Sequence, residues 1–99
     1  MKNNKLGTFI EETYKYGKIF YLQTRTTKPC TEEEKRIYGV DVKLDENSRV
    51  ARIIEYNCHD SGTFYEIDIS WEILNPRYFQ DLNNAKKQLI AVAKEKKLL

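Results

Sequence analysis

The segment Thr63-Phe64-Tyr65-Glu66-Ile67-Asp68-Ile69-Ser70-Trp71-Glu72-Ile73 alternates side-chain character along its whole length. In an extended chain, Tyr65, Ile67, Ile69, Trp71 and Ile73 fall on one side and Phe64, Glu66, Asp68, Ser70 and Glu72 on the other. The pattern predicts a strand over 63–73 that seals a core with its isoleucines and turns carboxylates the opposite way. A register slip of one residue would exchange the two faces, so this segment sets the frame into which its neighbours must fit.

The preceding segments fit it. Arg49–Asn57 reaches 63–73 through Cys58-His59-Asp60-Ser61-Gly62, a five-residue loop of turn formers. With Asn57 opposite Thr63, Ile53 meets Ile67 and Ala51 meets Ile69. Val40–Leu44 is expected to complete an antiparallel meander across Asp45-Glu46-Asn47-Ser48, with Val42 and Leu44 on the core face. Lys18–Thr26 is rich in β-formers, is broken at Thr27-Lys28-Pro29, and is expected to join at an edge.

Helix signals lie on either side. Thr31 and Glu34 have capping-box spacing and Gly39 stands where a helix would stop, predicting one or two turns over Thr31–Tyr38. Thr8 and Glu11 repeat that spacing, with Phe9, Ile10, Thr13 and Tyr14 on one side and Gly17 after them. A short helix over 8–16 is the expectation, and the β-forming character of the same residues is its rival. Asn75-Pro76 is read as the start of a long helix, along which Phe79, Leu82, Ala85, Leu89, Val92 and Ala93 recur at three- and four-residue intervals. That stripe is expected to pack on the face carrying Ile67, Ile69 and Trp71, each large side chain gaining ~2 kcal/mol. The fold class predicted is α+β: a four-stranded, mostly antiparallel sheet with the C-terminal helix on one face and short N-terminal helical turns, in one domain spanning 1–99.

Composition supports a folded chain, since 40% of residues are hydrophobic and 12% aromatic. The net charge of +2 is uneven: Ala85–Leu99 holds five lysines against one glutamate. No apolar stretch approaches the ~20 residues of a membrane span and no signal peptide is visible, so a cytoplasmic location with Cys30 and Cys58 as reduced thiols is expected.

The same register sends Val50, Arg52, Ile54 and Tyr56 outward beside Phe64, Glu66 and Asp68. A sheet face that is half apolar needs a cover. The N-terminal turns carrying Phe9, Ile10 and Tyr14, or the segment 31–38, would supply one internally; a docked macromolecule would supply it from outside. The function expected is that of a small non-enzymatic binding protein, a regulator, inhibitor or adaptor. It would contact another protein, or a second copy of itself, through Arg52, Ile54, Tyr56, Phe64 and Glu66. The alternative is a nucleic-acid-binding module that uses the sheet aromatics with Lys86, Lys87 and Lys94.

Chemistry has weaker support. Cys58, His59, Asp60 and Ser61 are adjacent in one tight loop, where side chains cannot be aimed at one another as a triad requires. Cys30, Cys58 and His59 lack zinc-site spacing, and the glycines are too scattered to cradle a phosphate. No catalytic residue, metal or cofactor is expected.

Overall fold

The computed structural model describes residues 6–99 except 46, 61, 71–73 and 75. In chain order its elements are β1 (Phe9–Tyr14), β2 (Gly17–Leu22), β3 (Thr27–Pro29), α1 (Glu32–Tyr38), β4 (Val42–Leu44), β5 (Ala51–Cys58), β6 (Gly62–Ile69), β7 (Tyr78–Phe79) and α2 (Leu82–Glu95). Five strands form one antiparallel sheet in the order β1-β2-β5-β6-β7, and β3 pairs with β4 in a separate ribbon. With α2 packed on the large sheet, the class is the α+β one that the patterning implies. No helix among the described residues is long and apolar enough to cross a membrane.

The β5–β6 pairing has the predicted register, with Asn57 opposite Thr63, Ile53 opposite Ile67 and Ala51 opposite Ile69. On the next strand Phe20 faces Ile53. Phe20, Leu22, Ala51, Ile53, Ile67 and Ile69 line one face, and Ala85, Leu89, Val92 and Ala93 of α2 close over them. These ten side chains are the core, and their burial against one another is the main stabilising term. Trp71 and Ile73, also assigned to this layer by alternation, lie outside the described residues.

Four sequence expectations are corrected. Residues 9–14 are strand, not helix: Phe9 pairs with Leu22 and Tyr14 with Gly17 across a two-residue turn. Phe, Ile, Thr and Tyr gain more from cross-strand packing here than a capping box offers. β2, expected at an edge, therefore lies between β1 and β5. Gly17 permits a close approach at this hairpin, because a Cβ there would lie 2.7 Å from the Glu55 carbonyl oxygen. The Asn57 amide then donates to the Tyr16 carbonyl at 3.0 Å.

The long helix begins at Leu82, with the Asp81 side chain accepting from the Asn84 amide, and not at Pro76. The predicted cap, Asn75, lies outside the described residues. Tyr78 and Phe79 instead add a fifth strand opposite Glu66 and Tyr65, so Phe79 reaches the core from the sheet.

The last correction concerns Val42 and Leu44, which are 54% and 53% exposed. They cannot join β5, both of whose edges are occupied, by β2 and β6. β4 pairs with β3. The β3–β4 ribbon follows the β2–β5 pair, with 23–26 between β2 and β3 and 45–50 between β4 and β5. There the Thr24 hydroxyl bonds those of Thr26 and Ser48 at 2.8 and 3.4 Å. At the far end sits α1, with the expected capping box: the Thr31 hydroxyl accepts from the Glu34 amide and the Glu34 carboxylate from the Thr31 amide. No residue of α1 is buried.

Candidate docking face

The face of the sheet opposite α2 is built row by row from the strand register. One row runs Ile10, Tyr21, Arg52, Asp68, and the next runs Glu12, Ile19, Ile54, Glu66, Tyr78. Beyond them Tyr56 stands opposite Phe64. All five residues assigned from sequence, Arg52, Ile54, Tyr56, Phe64 and Glu66, therefore share one surface.

The rings of this surface form an ordered array. Phe64 stacks on Tyr56, with centroids 4.9 Å apart and planes 18° from parallel, and meets Tyr78 edge-on at 5.8 Å. Such pairs contribute about 0.5–1.5 kcal/mol beyond the area they bury. Tyr56 and Phe64 are half-buried, whereas Tyr78 is 56% exposed and stands at the open end of the array.

Each arginine on the face meets a carboxylate. Arg52 Nε lies 2.7 Å from Asp68, Arg77 Nε 3.0 Å from Glu66, and Arg49 Nη2 2.8 Å from Glu12. Arg49 also lies 3.9 Å over the Tyr21 ring. The Tyr56 hydroxyl donates to Glu66 at 3.3 Å, so the buried Glu66 carboxylate is satisfied by a phenol and a guanidinium together. Burial, and then the charge of Glu66, push the Tyr56 phenol above its ordinary pKa. The face is thus aromatic and close to neutral by internal pairing.

Two of the five residues, Ile54 and Glu66, are buried at 8% and 7% exposure. They support the surface from below, and contact is left to Arg52, Tyr56 and Phe64. Sequence reasoning missed Tyr78 and Arg77, which it placed at the start of a helix. A strand of two residues is too short to show a period, and the one available signal was a pair of aromatic β-formers ahead of Asp81, a good helix cap.

The internal covers considered from sequence do not lie here. β1 lies in the sheet as an edge strand, and α1 sits at the tip of the ribbon with no buried residue. Among the described residues, the helix packed on the large sheet is α2, on the other side.

The remaining candidates are dispersed. Lys86 lies 5.3–5.4 Å from the Phe9 and Phe20 rings on the α2 side, while Lys87 and Lys94 are exposed along α2. The lysines and the aromatic array therefore occupy opposite sides of the molecule. Cys58 ends β5, His59 and Asp60 are exposed in the following turn, and Cys30 lies in the ribbon beyond the other end of β5. Comparison with protein-family models, with curated proteins and with solved structures finds no match.

Proposed function

We propose that this chain is a small non-enzymatic protein-binding module, of the regulator, inhibitor or adaptor type, acting in the cytoplasm. The contact is centred on Tyr56, Phe64 and Tyr78, with Arg52 at the rim and Ile54 and Glu66 holding the rings in place. The observation that carries this reading is the Tyr56–Phe64–Tyr78 array on a sheet face that α2 leaves open, beside arginines already neutralised by Asp68 and Glu66. Ordered aromatic groups with little rotamer freedom and a neutral, partly apolar setting are the residue types of an interface centre.

The separation of lysines from aromatics favours a protein over a nucleic acid. A single strand bound by stacking would need cations beside the rings, and Lys87 and Lys94 lie behind the sheet. The test is a pair of variants, Tyr56→Arg and Phe64→Arg, compared with the native chain in affinity capture from the source cell. Specific partners should be lost by both variants, with affinity falling about 30-fold or more for a central ring. Unchanged capture by both folded variants contradicts the reading. So does salt-sensitive binding of single-stranded oligonucleotide that depends on Lys87 and Lys94.

A further inference from the structure

On the side opposite the aromatic face, α2 packs over β5, β6 and β7 through Ala85, Leu89, Val92 and Ala93. Its outward side carries Asn83, Asn84, Lys87, Ala91 and Lys94, all exposed. Intervals of three and four residues bring these side chains together as one ridge. We infer that this ridge docks on double-stranded DNA, with Lys87 and Lys94 on backbone phosphates and Asn83 and Asn84 toward the base edges.

The sign of the charge is the first support. Between Ala85 and Leu99 there are five lysines and one glutamate, in a chain whose net charge is +2. Arg25 joins them at the far end of α2, because its backbone amide donates to the Leu98 carbonyl at 2.6 Å and its side chain is exposed. The ion pairs of the described residues fall on the sheet, around α1 and along the β3–β4 ribbon, and none takes Arg25, Lys87, Lys94 or Lys97. A solvated helix face commonly sets a carboxylate three or four residues from each lysine. In α2 the one carboxylate is Glu95, at the last position. A ridge of a single sign is complementary to a polyanion.

The other groups on the ridge say which polyanion. A helix that lies in a lipid surface turns an apolar face toward the acyl chains, and the apolar face of α2 is already closed on the core. What remains outward beside the lysines is two carboxamides and one methyl group. Amide side chains bond phosphate oxygens and the edges of adenine, and lysine bonds phosphates and guanine. The small Ala91, between Lys87 and Lys94, keeps the middle of the ridge low enough for close approach. The major groove of B-form DNA, ~12 Å wide, admits one α-helix, and the 14 residues of α2 supply ~21 Å of it. The major groove of duplex RNA is too narrow to be entered in this way. This contact is independent of the sheet face, so either can fail without the other.

The experiment is fluorescence anisotropy of a labelled duplex of about 20 base pairs, titrated with the full chain between about 50 and 200 mM salt. Binding should be micromolar at the low end. With Arg25, Lys87, Lys94 and Lys97 each on a phosphate, the logarithm of the affinity should fall against that of salt with a slope of about −3.5. Replacing both central lysines, Lys87→Ala with Lys94→Ala, should make that slope shallower by about two and weaken binding at low salt by roughly tenfold or more. Both side chains are exposed, so the melt of the double variant should match that of the native chain. Lys15→Ala removes the same charge from the β1–β2 turn and should leave affinity within about twofold. A native chain that leaves the duplex free at low salt overturns the inference. So does binding that the double variant retains, a single strand of the same length held as tightly, or tighter binding to phosphatidylserine vesicles than to the duplex.

Discussion

Two β-ribbons follow one another along this molecule, with opposite outcomes. In the β2–β5 pair, Phe20 and Ile53 are at most 2% exposed; in the β3–β4 pair that follows it, Val42 and Leu44 remain more than half exposed. Both ribbons set apolar residues on one face, Phe20 and Ile53 in the first and Val42 and Leu44 in the second. The first has strands on either side and α2 across it, and the second has no such layer among the described residues. Burial in a sheet is thus decided by what lies beyond the strand as much as by the strand's own pattern.

The contrast can be broken most sharply by truncating a side chain in each region. Ile53→Ala or Leu89→Ala should cost about 3 kcal/mol and lower the melting temperature by roughly 10–20 °C, because both side chains are fully enclosed. Val42→Ala, measured in the same urea or thermal titration on dilute protein, should change stability by less than about 0.5 kcal/mol. Equal effects would mean that the ribbons are not energetically distinct.

A smaller effect within the body is expected from Gly17→Ala. The added methyl would press on the Glu55 carbonyl and the backbone would be held at φ 156°, so a loss of about 1–3 kcal/mol should appear in the same titration. Arg77→Ala should cost about 1–2 kcal/mol by leaving the buried Glu66 carboxylate with the Tyr56 phenol alone. Arg77→Lys should recover part of that loss.

The smallest effect belongs to the limb formed by β3, α1 and β4. The Lys43 ammonium, helped by the Thr31 amide, lowers the Glu34 carboxyl from its ordinary 4.5 to about 2. A carboxyl depressed in the folded state stabilises it above the unfolded value and loses that contribution as pH falls. The limb should therefore loosen between about pH 4.5 and 2. In Glu34→Gln, the pH dependence of α1 amide shifts should flatten over that window.

Much of the body was legible because its signals are redundant. Alternation in 63–69, alternation in 51–57 and the loop between them all demand one register, and that register alone gathers Arg52, Ile54, Tyr56, Phe64 and Glu66 on one face. The helical stripe of Ala85, Leu89, Val92 and Ala93 was legible for the same reason. β1 was not, since Thr8-Phe9-Ile10-Glu11 satisfies a capping-box pattern and a strand propensity equally, and only the presence of β2 alongside decides. Val42 and Leu44 misled because local pattern cannot tell that both edges of β5 are taken. Tyr78 escaped because two strand residues ahead of a helix carry no period of their own.

Amide hydrogen exchange read residue by residue tests most directly whether stability resides in the body, with the limb held mainly at its root. In dilute protein, β5 and β6 amides should exchange only through global unfolding, while α1 amides exchange on the order of a thousandfold faster through local opening, with little dependence on denaturant. Protection of α1 equal to that of β5 in the dilute monomer would contradict the account, because the limb would then be part of the same cooperative unit as the core.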